Sequence, residues 1–317
     1  MSYLLLLLGL AFLFVGGDFL VRGAVSLALK FRISALVIGL TVVAFATSAP
    51  ELLVSLQAAL DGHPDIAIGN VIGSNIANIG LIMGLTALLF VLPVQRINYR
   101  FDWIFMSLLS ITLVGFLFLF KGINFFAGAV FAVLLIAYNY YKINNSRKAN
   151  NKIEVEEIDV AAKKEPMAKM LIFLLLGVLG LRYGALFFVE GASGIALDFG
   201  VSERAISVTI VAFGTSVPEL AASLIAAFKD EKDLAIGNLI GSNIFNILAV
   251  LGLTALVTPI KMTDQNLLHF DSWWMLAYAL LIFPMMGMIT KGKLGRVEGL
   301  VLFASYVTYV VLTFTKM

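Results

Sequence analysis

One part of this chain is written twice. Thr41-Val-Val-Ala-Phe-Ala-Thr-Ser-Ala-Pro-Glu51-Leu recurs as Thr209-Ile-Val-Ala-Phe-Gly-Thr-Ser-Val-Pro-Glu219-Leu. Gly69-Asn-Val-Ile-Gly-Ser-Asn-Ile-Ala-Asn78 recurs as Gly237-Asn-Leu-Ile-Gly-Ser-Asn-Ile-Phe-Asn246, and both copies lie 168 residues on. Residues 41–60 match 209–228 at 13 of 20 positions, and 65–88 match 233–256 at 17 of 24. A chain that repeats itself without a gap over such lengths folds as two copies of one unit.

The solvent for that unit follows from composition. Hydrophobic residues make up 61% of the chain and charged ones 13%, with a mean hydropathy of +0.99. A water-soluble chain is nearer half apolar and a quarter charged. A helix needs about 20 apolar residues to cross a bilayer. Ten stretches qualify, at roughly 3–29, 33–60, 66–92, 102–120, 123–142, 168–196, 203–228, 234–257, 272–290 and 296–315. The first opens with the apolar run Leu4 to Leu8, as a secretory signal would, but it lacks a basic start and a small-residue cleavage site. Its later part, Leu20-Val-Arg-Gly-Ala24, also recurs as Phe188-Val-Glu-Gly-Ala192, so it is expected to stay in the mature protein. The expected fold class is an all-α polytopic membrane protein of ten transmembrane helices.

Twenty-two Lys and Arg against twenty Asp and Glu leave a net charge of +2, which gives no electrostatic case for nucleic acid. The absence of cysteine excludes disulfides, zinc–thiolate sites and thiol chemistry, and two histidines (His63 and His269) are too few for an imidazole-built metal centre. Basic residues are retained on the cytoplasmic side of a membrane. With the N-terminus outside, sixteen of them fall inside, Lys121, Arg204, Lys261 and Lys316 fall outside, and Arg22 and Arg182 lie within spans. Both termini are therefore expected outside and the 144–167 loop in the cytoplasm, as a polar linker. Five spans (1–143) precede it and five (168–317) follow. An odd number in each half makes the copies enter the bilayer from opposite sides. Such an inverted repeat is the construction of many secondary transporters.

The chemistry concentrates in the repeated segments, 41–88 and 209–256. Glu51 and Glu219 fall in the middle of apolar runs, where a carboxylate costs about 2.5–3.5 kcal/mol to insert and marks a functional site by default. Thr47, Ser48 and Ser55 stand four before, three before and four after Glu51, on one side of a helix. Pro50 and Pro218 cannot donate a backbone hydrogen bond. They are expected to loosen carbonyls near Ala44, Ala46 and Thr47, and near Ala212, Gly214 and Thr215. Asn70, Ser74 and Asn78 form a stripe at i, i+4 and i+8, copied by Asn238, Ser242 and Asn246. Interhelical hydrogen bonding explains Asn70 and Asn238 well enough, and Asn78 and Asn246 less so, because they sit deeper. Gly69-x-x-x-Gly73 and Gly237-x-x-x-Gly241 are expected to let helices approach closely. Two glutamates supply up to four oxygens, the Thr47 and Thr215 carbonyls two more, and waters or the Asn78 and Asn246 amides can add further ones. Ca²⁺ takes six to eight oxygens in flexible geometry, and all-oxygen ligands argue against softer transition metals. A site charge of −2 is balanced by one Ca²⁺ or by two Na⁺.

These segments closely resemble the two α repeats of the sodium/calcium exchanger family, and span count and inverted halves agree along the whole chain. The resemblance implies a core of the second, third, seventh and eighth helices around several cation sites, with Ca²⁺ and Na⁺ as transported ions. Carried over by position, the Ca²⁺ site resembles Glu51, Glu219 and the Thr47 and Thr215 carbonyls. Flanking Na⁺ sites resemble Ala44, Thr47, Ser48 and Ser74, and Ala212, Thr215, Ser216 and Ser242. The first and sixth helices, with Arg22 and Glu190 at equivalent positions, are implied to slide over the core. The chain departs from many relatives in carrying Asn246 where they have aspartate, and Ala46 stands where the second repeat has Gly214. Asparagine takes no proton, so the site charge stays at two carboxylates and potassium dependence is not expected.

The expected function is Na⁺/Ca²⁺ antiport across the cytoplasmic membrane, without enzymatic activity. The partners are the two ions and the lipid bilayer, with no nucleic acid and no obligatory protein partner. H⁺/Ca²⁺ exchange through the same glutamates is the alternative. An intramembrane carboxyl protease would need a proton-sharing dyad but not the duplicated asparagine face, and a passive channel would show flux without counter-ion dependence.

Overall fold

The structure, a computed structural model, describes residues 1–93, 96–150, 166–200, 212–285 and 292–316. Three expectations fall outside these residues: most of the 144–167 linker, the start of the span at 203–211, and the end of the span at 272–290. Among the described residues, seven helices are long and apolar enough to cross a membrane. They are α1 (Ser2–Phe31), α4 (Pro64–Leu89), α5 (Tyr99–Phe120), α6 (Phe125–Ala149), α7 (Met167–Asp198), α9 (Lys232–Val257) and α11 (Arg296–Thr315). An interrupted pair, α2 (Ala35–Thr47) and α3 (Ala49–Leu60), passes the same test when its members are taken together. Two shorter apolar helices complete the set, α8 (Val217–Phe228) and α10 (Leu267–Ile282). Large apolar side chains stand exposed along the long helices, among them Leu7, Phe14, Leu119, Phe126, Ile136 and Leu175. That exterior suits hydrocarbon, since a soluble monomer seldom exposes large contiguous apolar patches.

The described chain divides into two compact units, Met1–Thr47 with Tyr141–Asn238, and Ser48–Tyr140 with Leu239–Met317. In the first unit α1 and α7 run antiparallel with their backbones almost touching. A Cβ added to Gly16 would lie 2.6 Å from the Leu181 nitrogen, one on Gly177 2.6 Å from the Leu20 nitrogen, and one on Gly184 2.7 Å from the Leu13 nitrogen. Small residues make such contact possible where lipid supplies no hydrophobic drive to pack helices together. α1 stops at Arg32, whose backbone is left-handed (φ 56) and whose N–H turns back to the Ala28 and Leu29 carbonyls. Ser34 then caps α2 by accepting a hydrogen bond from the Val37 N–H at 3.3 Å.

The second unit is tied by side chains reaching across helices. Trp103 Nε1 and Ser107 Oγ on α5 both donate to the Ala279 carbonyl on α10, at 2.7 and 2.9 Å. Two buried carboxylates are held by tyrosines: Tyr138 donates to Asp102 at 2.9 Å and Tyr309 to Asp271 at 2.7 Å. Two antiparallel ribbons, each strand two residues long, join segments that are far apart in sequence. Leu92–Pro93 (β1) pairs with Lys293–Leu294 (β4), and Gly122–Ile123 (β2) pairs with Ile260–Lys261 (β3).

Candidate cation site

The two glutamates occupy equivalent local settings. Chain direction changes at Ser48 (φ −83, ψ 2), after which α3 begins with Pro50 in its first positions and Glu51 in its first turn. Ser216 (φ −90, ψ 0), Pro218 and Glu219 repeat this at the start of α8. Each proline therefore opens a new helix, where its missing N–H costs nothing. The consequence for the acids is favourable, because the unpaired N–H groups and dipole of a helix N-terminus stabilise a carboxylate. Glu51 and Glu219 are each only 1% exposed. The preceding half-helix α2 ends at Thr47, so its last carbonyls carry the negative end of a dipole, the arrangement that suits a cation.

In the second unit, Asn70 on α4 holds α3 in place. Its amide nitrogen donates to Ser55 Oγ at 3.0 Å and to the Glu51 carbonyl at 3.3 Å. Asn238 does the same work in the first unit, donating to Ser223 Oγ at 3.1 Å and accepting from Thr47 Oγ1 at 3.2 Å. Thr47 Oγ1 also reaches the Ala44 carbonyl at 3.4 Å. Asn70 and Asn238 are thus helix-binding residues, as interhelical bonding alone would have them.

Asn78 and Asn246 behave differently. Both are buried and each opens a π-helical stretch, Asn78–Met83 in α4 and Asn246–Leu251 in α9. Such insertions frequently mark functional positions in a helix. The Asn78 amide nitrogen donates to Asn243 Oδ1 at 3.2 Å, and that of Asn246 donates to Asn75 Oδ1 at 3.0 Å. Asn75 in turn donates to the Asn243 carbonyl at 3.4 Å. With their nitrogens committed, the Oδ1 atoms of Asn78 and Asn246 are buried and have no hydrogen-bond partner among the described residues. A buried amide oxygen left so costs about 1–3 kcal/mol, and a cation would satisfy it. Ser74 and Ser242 are buried one turn earlier on the same helices.

Asn75 and Asn243 were missed because they lie one residue off the Asn70–Ser74–Asn78 stripe. The available signal was their identity in both copies of the motif. Of the remaining expected ligands, Ser48 and Ser216 are buried at the two helix starts and Thr215 lies in the turn before α8, whereas the Ala212 side chain is outside the described residues. Among the described residues no three of His, Asp and Glu gather in one place. The paired-glycine expectation divides. A Cβ on Gly237 would collide with the Leu36 carbonyl, but one on Gly69 would meet only Leu267 Cδ2 at 3.4 Å, and one on Gly73 would meet nothing.

Comparison with known proteins adds the family. A family model described as "Sodium/calcium exchanger protein" matches residues 1–144 and 169–315. The sodium/calcium exchanger MaX1 of Methanosarcina acetivorans is 34% identical, over 99% of this chain and 98% of its own length. The inner membrane protein YrbG of Escherichia coli is 31% identical, over 98% and 96% respectively. Among solved structures, the sodium-calcium exchanger NCX_Mj soaked with zero Na⁺ and Ca²⁺ superimposes with a TM-score of 0.82 at 32% identity, covering 98% of both chains.

Proposed function

This chain belongs to the sodium/calcium exchanger family, and from that membership we propose that it is an antiporter exchanging Na⁺ for Ca²⁺ by alternating access. The supporting observation is the pair of glutamates, each enclosed in the first turn of a helix that begins at a proline. The proposed ligands are the carboxylates of Glu51 and Glu219, the amide oxygens of Asn78 and Asn246, and the carbonyls of Thr47 and Thr215. The Na⁺ ligands add Ser48, Ser74 and the Ala44 carbonyl from one repeat, with Ser216, Ser242 and the Ala212 carbonyl from the other. Cations exchange because both ions compete for the same two negative charges, and each leaves when the other neutralises them.

The proposed topology has ten spans, formed by the seven long helices, the interrupted α2–α3 pair taken as one, and α8 and α10, arranged as two inverted halves. The excess of basic residues in the loops supports a cytoplasmic 144–167 linker and outside termini. The name of the inner membrane protein YrbG supports the inner membrane, and that of the sodium/calcium exchanger MaX1 supports Na⁺ as the counter-ion. Proton coupling through the same glutamates is the second reading. The partnerless amide oxygens favour Na⁺ over it, since an amide oxygen coordinates a metal ion well but is not protonated at physiological pH.

Purified protein in liposomes tests the choice. An imposed Na⁺ gradient is expected to drive ⁴⁵Ca²⁺ uptake, and a pH gradient of equal size to drive none. Uptake that persists on the pH gradient alone establishes the proton reading instead. Asn75→Ala and Asn243→Ala are expected to raise the Ca²⁺ concentration for half-maximal uptake by roughly fivefold. Each loses one hydrogen bond worth about 1 kcal/mol that orients a neighbouring amide. Unchanged half-saturation in both variants would show that these amides do not orient the ligands.

A further inference from the structure

Unit one carries a cavity of about 510 Å³, walled by Arg22 and Ser26 of α1, Lys169 and Phe173 of α7, and Lys229 and Glu231 from the turn after α8. Three cations from three segments converge on it. Asp18, one turn earlier on α1, accepts the Arg22 guanidinium at 2.8 Å and also pairs with the Lys229 ammonium, so a single carboxylate is shared between two cations. The Lys169 ammonium stands 5.4 Å from the centre of the Phe173 ring. Glu231 also faces the cavity; burial first, and then the neighbouring Asp230 and Asp233, push its carboxyl above the usual carboxylate range, while Lys229 pulls it down. Val21 and Val25 line the cavity as well, so apolar surface adjoins the charged mouth.

Loop-side retention of basic residues accounts for Lys169 and Lys229 but not for Arg22. Arg22 lies nine residues before the end of α1, roughly 13 Å along the axis, well inside the helix. Nor does the fold require the cations. One repeat away, at 168 residues, Glu190 stands for Arg22, Asp61 for Lys229, His63 for Glu231 and Leu186 for Asp18. Two of the three cations are thus replaced by acids at the repeat offset, Arg22 by Glu190 and Lys229 by Asp61.

We propose that this cavity binds the phosphate of an anionic phospholipid, with Arg22, Lys169 and Lys229 around the headgroup and Val21, Val25 and Phe173 against the start of the acyl chains. Guanidinium and ammonium groups match phosphate oxygens, and basic pockets between membrane helices suit such headgroups. The site is independent of the ion-binding residues, and so of the exchange reading above.

Native mass spectrometry of the full chain, released from bilayers of phosphatidylglycerol and phosphatidylcholine in equal parts, tests the assignment. Retention of one phosphatidylglycerol per chain in preference to phosphatidylcholine is expected. The triple variant R22Q/K169Q/K229Q is expected to lose that preference by about tenfold or more, three phosphate-facing cations being removed. Ser26→Trp fills the cavity without touching a charge and is expected to lose it too, which keeps the test open if the triple variant folds poorly. Val25→Ser, the residue found one repeat away, retains it. Millimolar inorganic phosphate in the release buffer distinguishes the source: no displacement supports the lipid, and full displacement assigns the site to soluble phosphate and overturns the lipid. Equal retention of both lipids, or an undiminished preference in both the triple variant and Ser26→Trp, overturns the site itself.

Discussion

Glu51→Gln is expected to abolish Ca²⁺ uptake into Na⁺-loaded vesicles, and Glu219→Gln to do the same. Glutamine preserves the volume of glutamate and keeps one amide oxygen, so the buried space remains filled and the helix start at Pro50 or Pro218 is undisturbed. What disappears is a buried negative charge, and among the described residues no group of three or more His, Asp and Glu stands ready to replace it. Removing one partner of a desolvated charge pair costs about 2–5 kcal/mol or more, and at about 1.4 kcal/mol per factor of ten the middle of that range lowers affinity by over a hundredfold. Ca²⁺ suffers more than Na⁺, since it brings two charges to be neutralised. Tracer uptake in reconstituted liposomes, with variant protein matched to wild type by size-exclusion profile, measures the loss. Na⁺-dependent uptake surviving in either variant would remove that residue from the mechanism.

Gly237→Ala is expected to damage the fold more than any other single methyl addition in the repeated motifs. Its Cβ would run into the Leu36 carbonyl, with the Leu40 nitrogen at 3.1 Å and the Gly39 Cα at 3.2 Å. A Cβ on Gly39 would in turn lie 2.6 Å from the Leu234 carbonyl and 3.0 Å from the Asn238 nitrogen. These are backbone atoms of two crossing helices, which cannot rotate out of the way as a side chain can. Overpacking of this kind costs about 3 kcal/mol, enough to lower the midpoint of thermal unfolding in detergent by several degrees. It also shifts Asn238, which braces both Ser223 and Thr47. Gly69→Ala, at the matching position of the first repeat, meets only a leucine methyl and is expected to leave the midpoint unchanged. Equal midpoints for the two variants would refute the asymmetry.

That contrast shows what could be read from the residues and what could not. The duplication exposed the two helical segments that matter, and an acid in the middle of each apolar run identified Glu51 and Glu219. Pro50 and Pro218 were recognised as disruptions, but whether a proline bends a helix or begins one depends on the residue before it. Ser48 leaves helical geometry and Ser216 sits in the turn that starts α8, and nothing in a one-dimensional pattern reports that. The small-xxx-small spacing is the same in both copies, while the helix that Gly237 meets and the side chain that Gly69 meets are set by tertiary neighbours. Asn75 and Asn243 were invisible to helical periodicity because they act across helices, each holding the other repeat's asparagine. The two-residue ribbons carry no period at all, being too short to show alternation.

Those ribbons bear on the order in which the polypeptide becomes complete. β2 must wait for residues 260 and 261, and β1 for residues 293 and 294, long after β2 and β1 themselves have been made. Until then the hydrogen-bonding edges at Leu92 and Gly122 face other company. Early insertion is left to helices with local contacts, and long-range closure is the slow, late event. A premature stop between residues 262 and 292 would leave β2 able to pair and β1 permanently without its mate.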